Sequence, residues 1–282
     1  MTIQNTIKQA SQILKKHNIN TYNLDAEIIL ADLMEVGREF FILNNNEHVS
    51  EDIIKKFDFA IKRRIKNEPV AYITGRREFW SKDFLVNNAT LIPRPETELL
   101  VHRVVNFFKN KKINILDIGT GSGCILLAIL KELIFSRGIG IDICSKAIKT
   151  AELNSINLKL HLRAKFRTIS LDEFNIGKYD LIVSNPPYIP TKELKNLNKD
   201  ILNYEPMKAL DGGVDGLDLI KKVIYKSNHL LKKEGLLALE IGNNQYLKVT
   251  EQLKINGYRE ISKECDYNDN VRCIISTKVR FF

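Results

Sequence analysis

The sequence predicts an α/β fold, a mostly parallel sheet with helices on both faces, preceded by a small all-helical domain. Three observations predict it. From Ile113 onward, short apolar runs of strand type alternate with helical periods, whereas the chain up to about residue 68 carries only the 3.6-residue period. The length, 282 residues, suffices for about two domains at roughly 150 residues each.

Thr2 caps a first helix whose apolar face is Ile3, Ile7, Ala10 and Leu14. A second helix covers about Asp25–Glu35 and a short third one Arg38–Leu43. Ser50, followed by Glu51 and Asp52, caps a longer helix with Ile53, Phe57, Ala60, Ile61 and Ile65 inward and Lys62-Arg63-Arg64 outward, and Pro69 ends it. Residues 1–75 are therefore read as a helical bundle. The run Glu78–Val86 alternates as a β-hairpin, so 76–92 is read as a hairpin linker. Pro95 suits the first turn of a helix running to about Lys109.

In the remaining domain, 93–282, strands are expected at Ile113–Asp117, Gly138–Asp142, Phe166–Ile169, Tyr179–Val183 and Leu236–Glu240. Helices are expected at Gly123–Leu133, Ser145–Ile156, Leu217–Leu231 and Gln245–Ile255. Two closing strands, Ser262–Cys265 and Val271–Thr277, share a short link and form an antiparallel hairpin at one sheet edge.

Composition narrows the class of protein. With 44% hydrophobic and 27% charged residues the chain is neither disordered nor fibrous. Apolar runs such as Ile28–Leu30 and Leu236–Leu239 fall far short of the ~20 residues a membrane span needs, and the N-terminus has no basic-then-apolar segment. A cytoplasmic protein is expected. Cys124, Cys144, Cys265 and Cys273 never form a C-x-x-C pair, which argues against a zinc site or redox dithiol and for reduced, buried thiols; no metal is expected. The five histidines are scattered, as surface or satisfied core residues are. The net charge of +9 suggests an anionic partner or serves solubility alone. Residues 1–75 are charge-balanced, so the helical part is not a basic nucleic-acid arm.

Two motifs carry chemistry. In Asn114-Ile-Leu-Asp-Ile-Gly-Thr-Gly-Ser-Gly123 an apolar strand runs into a glycine-rich turn that opens a helix. Glycines 119, 121 and 123, with Thr120 and Ser122 between them, let backbone approach a ligand closely. The spacing is G-x-G-x-G, not the dinucleotide G-x-G-x-x-G. About 20 residues on, Asp142 ends the next strand, where an acid accepts ribose hydroxyl hydrogens. With no phosphate-gripping Lys, the pattern favours S-adenosylmethionine over a nucleoside triphosphate.

The second motif is Ser184-Asn-Pro-Pro-Tyr188, placed after the fourth strand at the carboxyl edge of the sheet. Prolines 186 and 187 hold the turn rigid and leave their carbonyls as fixed acceptors. A planar NH₂ group has a delocalised lone pair and is a poor nucleophile. Accepting one N–H at the Asn185 side-chain oxygen and the other at the Pro186 carbonyl orients that nitrogen for methyl transfer, while the Tyr188 ring stacks on its plane. Adenine N6, cytosine N4, guanine N2 and glutamine amides all present such a group.

Taken together, the residues resemble the HemK-type (PrmC) protein-glutamine methyltransferases over nearly the whole chain. Besides the two motifs, the sequence has Pro69-Val-Ala-Tyr-Ile-Thr-Gly75 with Glu78-Phe79, and Leu91-Ile-Pro-Arg-Pro-Glu-Thr-Glu98. Tyr204-Glu-Pro206 with Ala209-Leu210, Gly213-Val-Asp-Gly-Leu-Asp218 and Leu239-Glu-Ile-Gly242 follow in the family's order. The resemblance implies a class I S-adenosylmethionine-dependent methyltransferase, a Rossmann-like seven-stranded sheet with an all-α N-terminal domain. It implies as substrate the side-chain amide nitrogen (N5) of the glutamine in the Gly-Gly-Gln tripeptide of class I peptide chain release factors, and so a role in translation termination. Gly119–Gly123 and Asp142 would hold the cofactor together with Asn185, and Asn185–Tyr188 the glutamine. The helical domain would help grip the release factor, and a monomer without a stable nucleic-acid or membrane partner is expected. Pro93-Arg-Pro-Glu-Thr97 lines the cleft in this reading, although Pro95 and Glu96 equally suit a helix start.

One departure from the family's pattern concerns adenine. After the third strand the chain reads Asp172-Glu173-Phe174, where an acid followed by two bulky apolar residues is usual; the resemblance places all three at the cofactor, and because Glu173 stacks poorly on adenine that contact falls to Phe174. The main rival is a nucleic-acid N6-adenine methyltransferase using the same Asn185 chemistry on a flipped base. A binding module without catalysis is a third reading, opposed by the intact motifs, and a haem-oxidising role ranks last for want of any redox motif.

Overall fold

The computed structural model describes residues 1–279; the last three residues of the expected 93–282 domain lie outside that range. The chain divides into two compact units, Met1–Arg76 with Asn198–Tyr204, and Arg77–Leu197 with the chain from Glu205 onward.

The first unit is built from α1 (Ile3–Lys16), α2 (Tyr22–Met34), α3 (Phe40–Leu43), α4 (Glu51–Ile65) and α5 (Val70–Thr74). Thr2 and Ser50 cap α1 and α4, each hydroxyl accepting a backbone N–H from the third residue on. The core gathers Ile3, Leu14, Ile29, Leu30, Phe57 and Ile61. One basic residue departs from expectation. Arg64 is buried, not outward, and donates from Nε to Asp25 Oδ2 at 2.6 Å. Thr21 Oγ1 also donates to that oxygen, at 2.8 Å. Pro69 stands at the cap of α5, a helix that the sequence reading leaves out.

The second unit opens with the hairpin β1 (Arg76–Phe79) and β2 (Lys82–Leu85). It is no loose linker, because Phe79 and Phe84 are fully buried in the unit's core. Next come α6 (Thr97–Phe108), β3 (Asn114–Ile118), α7 (Cys124–Glu132), β4 (Arg137–Asp142), α8 (Ser145–Asn157), β5 (Ala164–Thr168) and β6 (Tyr179–Ser184). Short 3₁₀ turns follow at Thr191–Asn196 and Met207–Ala209, separated by α9 (Lys199–Tyr204), which belongs to the first unit. Then come α10 (Asp218–Leu230), β7 (Leu231–Glu240), α11 (Tyr246–Ile255), β8 (Tyr258–Cys265) and β9 (Val271–Lys278).

The seven strands β3–β9 form one sheet in the order β5-β4-β3-β6-β7-β9-β8. Pairings from β5 to β7 are parallel, and β9 inserts antiparallel between β7 and β8. The expected closing hairpin is therefore present, with its second strand inside the sheet and its first at the edge. Helices α6 and α7 with the hairpin cover one face; α10 and α11 cover the other. Because β3, β4 and β6 run in parallel, their carboxyl ends, and the loops that leave them, gather on one edge. Strand order reverses between β3 and β6, which is where open α/β sheets leave a crevice.

The cysteines are free: Cys124 and Cys273 are buried as expected, but Cys144 is half-buried and Cys265 exposed. No helix among the described residues is long and apolar enough to cross a membrane.

Candidate active site

A cavity of about 460 Å³ opens at that crevice, within the range of small-molecule sites. Its walls come from the loops after β3, β4, β5 and β6 and from the segment around Met207, with Ile118–Ser122, Ile141–Cys144, Ile169, Leu171 and Asn185 among them.

The glycine turn is held from within. Gly119 and Thr120 both donate backbone N–H to Ile141 O, at 2.9 and 3.0 Å, and Gly121 N donates to Asp142 Oδ2 at 3.0 Å. Cys144 N donates to Asp142 Oδ1 at 2.9 Å. Both carboxylate oxygens of Asp142 are thus aimed by backbone while keeping lone pairs for a ligand. Gly119 and Gly121 have φ of +72° and +55°, and a Cβ on either would meet no protein atom within 4 Å, so their bare Cα atoms border open space. Gly123 differs from the expectation of ligand contact. It is buried, and a Cβ there would meet Ala151, Leu127 and Phe166 at 3.1–3.2 Å, so it serves the packing of α7. Gly140 closes the turn from below, where a Cβ would lie 2.6 Å from Thr120 Oγ1. Asn154 on α8 ties the hairpin to this loop, donating to Ser122 O and Leu85 O at 2.9 and 3.0 Å and accepting from Leu85 N at 2.7 Å.

Asp117 lies beneath the turn, fully buried, and accepts from Thr120 Oγ1 at 2.6 Å. Burial pushes its carboxyl up to about 7, against the lowering effect of that bond.

The Asn185-Pro-Pro-Tyr188 turn is encased. Ser184 Oγ donates to Ile118 O at 2.8 Å, which joins the ends of β6 and β3. Asn185 Nδ2 donates to Thr97 Oγ1 at 3.2 Å and thereby leaves the amide oxygen as the free acceptor. Gln245 Nε2 donates to Tyr188 O at 2.8 Å, while its own Oε1 accepts from Gly242 N at 2.8 Å. A Cβ at Gly216 would sit 2.4 Å from Tyr188 O, and one at Gly212 2.8 Å from Pro187 O, so only glycine lets these strands of loop lie so close. Arg272 donates from NH2 to Tyr188 Oη at 3.1 Å and lies over the ring at 5.5 Å from its centroid. Burial raises the Tyr188 phenol above its ordinary value.

Asn185 and Pro187 line the cavity, Pro186 is buried behind them, and the Tyr188 ring packs against the core on the sheet face covered by α10 and α11. The adenine-side expectation at 172–174 is corrected. Phe174 is wholly enclosed, its ring 6.4 Å from that of Tyr179, and cannot stack on a ligand. Glu173 is exposed, and Asp172, also exposed, faces Lys222 on α10 at 3.3 Å. Ile169 and Leu171 form the apolar wall there instead.

Arg94 and Thr97 line the cavity, as expected of the Pro93–Thr97 segment, but their partners are not foreseen, and Glu205, Glu240 and Arg272 carry no assigned role in the sequence reading. Arg94 lines the cavity and donates to the buried Glu205 at 2.6 Å, and Glu205 also accepts Ile92 N at 3.2 Å. Glu205 and Glu240 sit in family-like motifs, so the signal was present without the chemistry. Among the described residues no group of three or more His, Cys, Asp and Glu could hold a metal ion.

Residues 5–75 match the PrmC N-terminal domain and residues 109–280 a methyltransferase domain. The chain is 35% identical over 282 residues to the release factor glutamine methyltransferase of Clostridium acetobutylicum, covering 99% of each chain. It belongs to the release factor glutamine methyltransferase family. Its relative of that name in Buchnera aphidicola subsp. Schizaphis graminum is 37% identical over 99% of this chain and 100% of that one. A crystal structure of a methyltransferase from Pyrococcus furiosus shares the fold, with a TM-score of 0.54 at 15% identity over 78% of this chain and 98% of that one. This family member is an S-adenosylmethionine-dependent methyltransferase, and its site fits the cofactor: a cavity of suitable size, two glycine Cα atoms bordering it and a carboxylate fixed at the end of β4.

Proposed function

We propose that this enzyme methylates N5 of the glutamine in the Gly-Gly-Gln tripeptide of class I peptide chain release factors, acting in the cytoplasm as a monomer in support of translation termination. The observation that carries the reading is the oriented Asn185 amide at the cavity wall, its Nδ2 engaged by Thr97 and its oxygen free. The names of full-length relatives supply the substrate class.

Asp142 would hold the ribose hydroxyls, with Gly119 and Gly121 giving the adenosyl group close passage. When bound, S-adenosylmethionine supplies a sulfonium methyl whose C–S electron pair stays on sulfur. Asn185 Oδ1 and the Pro186 carbonyl accept the two N–H bonds of the glutamine amide and aim its nitrogen at that methyl. The same acceptors favour the positive charge that develops on nitrogen as the N–C bond forms. One N–H proton then passes to water, leaving a secondary amide. Tyr188, pinned by Arg272, stiffens the turn that carries both acceptors.

The test is transfer of labelled methyl to a purified class I release factor, beside its Gln→Ala variant at Gly-Gly-Gln and a mixture of DNA and RNA. Label on the wild-type factor alone is expected. Label on nucleic acid alone would overturn the substrate while retaining the Asn185 chemistry.

A further inference from the structure

Glu240 is an anomaly of the site. Its carboxyl group ends β7, is 1% exposed, and neither oxygen has a hydrogen-bond partner of full bonding geometry. Burying such a group unsatisfied is costly, so its presence calls for a compensating role. The register supplies one. Ser184 pairs with Leu239, so the next step along both strands sets Asn185 beside Glu240. The carboxyl group faces the Thr97 hydroxyl and the Asn185 amide, and Thr97 Oγ1 is the acceptor for Asn185 Nδ2 at 3.2 Å.

We infer that Glu240 is a positioning residue: by accepting the Thr97 hydroxyl hydrogen it obliges Thr97 to accept from Asn185 Nδ2, which keeps the Asn185 oxygen turned toward the substrate amide. The inference rests on the reading that Asn185 grips that amide. A hydroxyl has one hydrogen to give. While Glu240 is ionised it can only accept, the hydrogen of Thr97 goes to it, and the Asn185 amide has one favoured orientation. Once Glu240 is protonated it can donate to Thr97, which then directs its own hydrogen at Asn185 and favours the flipped amide. Burial holds this carboxyl up to about 7; Arg272 from β9 opposes the shift and Glu96 reinforces it. The Tyr188 phenol and the thiols of Cys124 and Cys273, which also feel Glu240, are themselves raised by burial and stay neutral there.

The experiment measures kcat, KM, cofactor Kd and melting temperature of the full chain with a release factor as substrate, across pH 5.5–9. The variants are Glu240→Gln, Glu240→Leu, Thr97→Ser, Thr97→Val and Asn185→Ala. Glu240→Leu and Thr97→Val should lower kcat about tenfold or more, as removal of an outer supporting partner does, with cofactor Kd within about twofold. Thr97→Ser, which retains the hydroxyl, should recover most of that loss, whereas Glu240→Gln, which like the protonated acid can donate as well as accept, should hold kcat near the low-pH value of the wild type at every pH. Wild-type kcat should fall as pH drops below about 7, and that limb should vanish in Glu240→Gln. Unchanged kcat in folded Glu240→Leu, or a limb that persists in Glu240→Gln, overturns the inference; if Glu240→Leu does not fold, the Glu240→Gln pH profile decides alone. Normal turnover by Asn185→Ala would instead overturn the underlying reading, while an inactive Asn185→Ala beside a fully active Glu240→Leu would sink the positioning role only.

Discussion

At the scale of single residues, the proposed roles of Asp142 and Asn185 divide the work between cofactor and acceptor. Asp142 carries two backbone N–H bonds, from Gly121 and Cys144, so truncating it loosens the glycine turn as well as removing ligand acceptors. Asp142→Ala should weaken S-adenosylmethionine binding by roughly 1–3 kcal/mol, the worth of lost charged hydrogen bonds. Asn185→Ala should leave that affinity nearly intact and lower kcat by roughly 10²–10³, the scale for losing one preorganised group at a reacting centre. Isothermal titration beside single-turnover methylation separates the two, and an exchange of phenotypes would refute the assignment of roles. The positions of both were legible in the sequence because Asp142 ends and Asn185 follows a strand of the parallel sheet, at the edge where the carboxyl ends gather. Thr97 was legible only as part of a cleft-lining segment, and its bond to Asn185, like the place of Glu240, was not, since each meets Asn185 through pairing of segments far apart in the chain. Phe174 was misread for a related reason: a bulky apolar residue after a strand looks the same whether it faces a ligand or, as here, the core.

Elements were easier to read than their partners. Periodicity and capping located α1, α4 and the alternating strands and helices of the sheet, but short segments such as α5 and α9 carry too few turns to show a period. Charge patterning also failed at one point, placing Arg64 outward with its neighbours. The side chain instead joins α4 to α2 through Asp25, and its NH1 donates to Glu68 O at 3.2 Å. A sequence cannot announce this, because the acid that receives the guanidinium lies on another helix. Both partners are nearly excluded from solvent, so Arg64→Met should strand the Asp25 carboxylate and destabilise the helical unit by about 3–5 kcal/mol. The double variant Arg64→Met with Asp25→Asn should recover a large part of that loss. Hydrogen exchange at the amides of α2 and α4 in the full chain is the measurement, and equal protection in the wild type and Arg64→Met would contradict the buried pair.

Across the whole molecule, the carboxyl edge of the sheet holds two acids whose burial opposes their charge. Asp117 and Glu240 both stand at about 7 in the folded chain, against ordinary values of 3.8 and 4.5. An acid raised on folding binds its proton more tightly in the native state than in the unfolded one. Between pH 4 and 7 the folded chain therefore holds more protons, and stability falls as pH rises through that window, reaching its low plateau above about 7. A displacement of this size is worth on the order of 3–4 kcal/mol per group. Asp211, Asp215 and Asp266 are shifted the opposite way, so what they add is lost only on acidification below their ordinary value of 3.8. The interval from about pH 5.5 to 8 thus isolates the two buried acids. Calorimetry of the cofactor-free protein should give a melting temperature several degrees higher at the acid end of that interval. Asp117→Asn and Glu240→Gln should each remove part of the slope, and the double variant should flatten it. A melting temperature that climbed with pH would mean that these carboxyl groups are ionised and satisfied in the native state. Both acids sit where the glycine turn and the Asn185 turn leave the sheet, so stability at neutral pH is lowered at the same edge that builds the site.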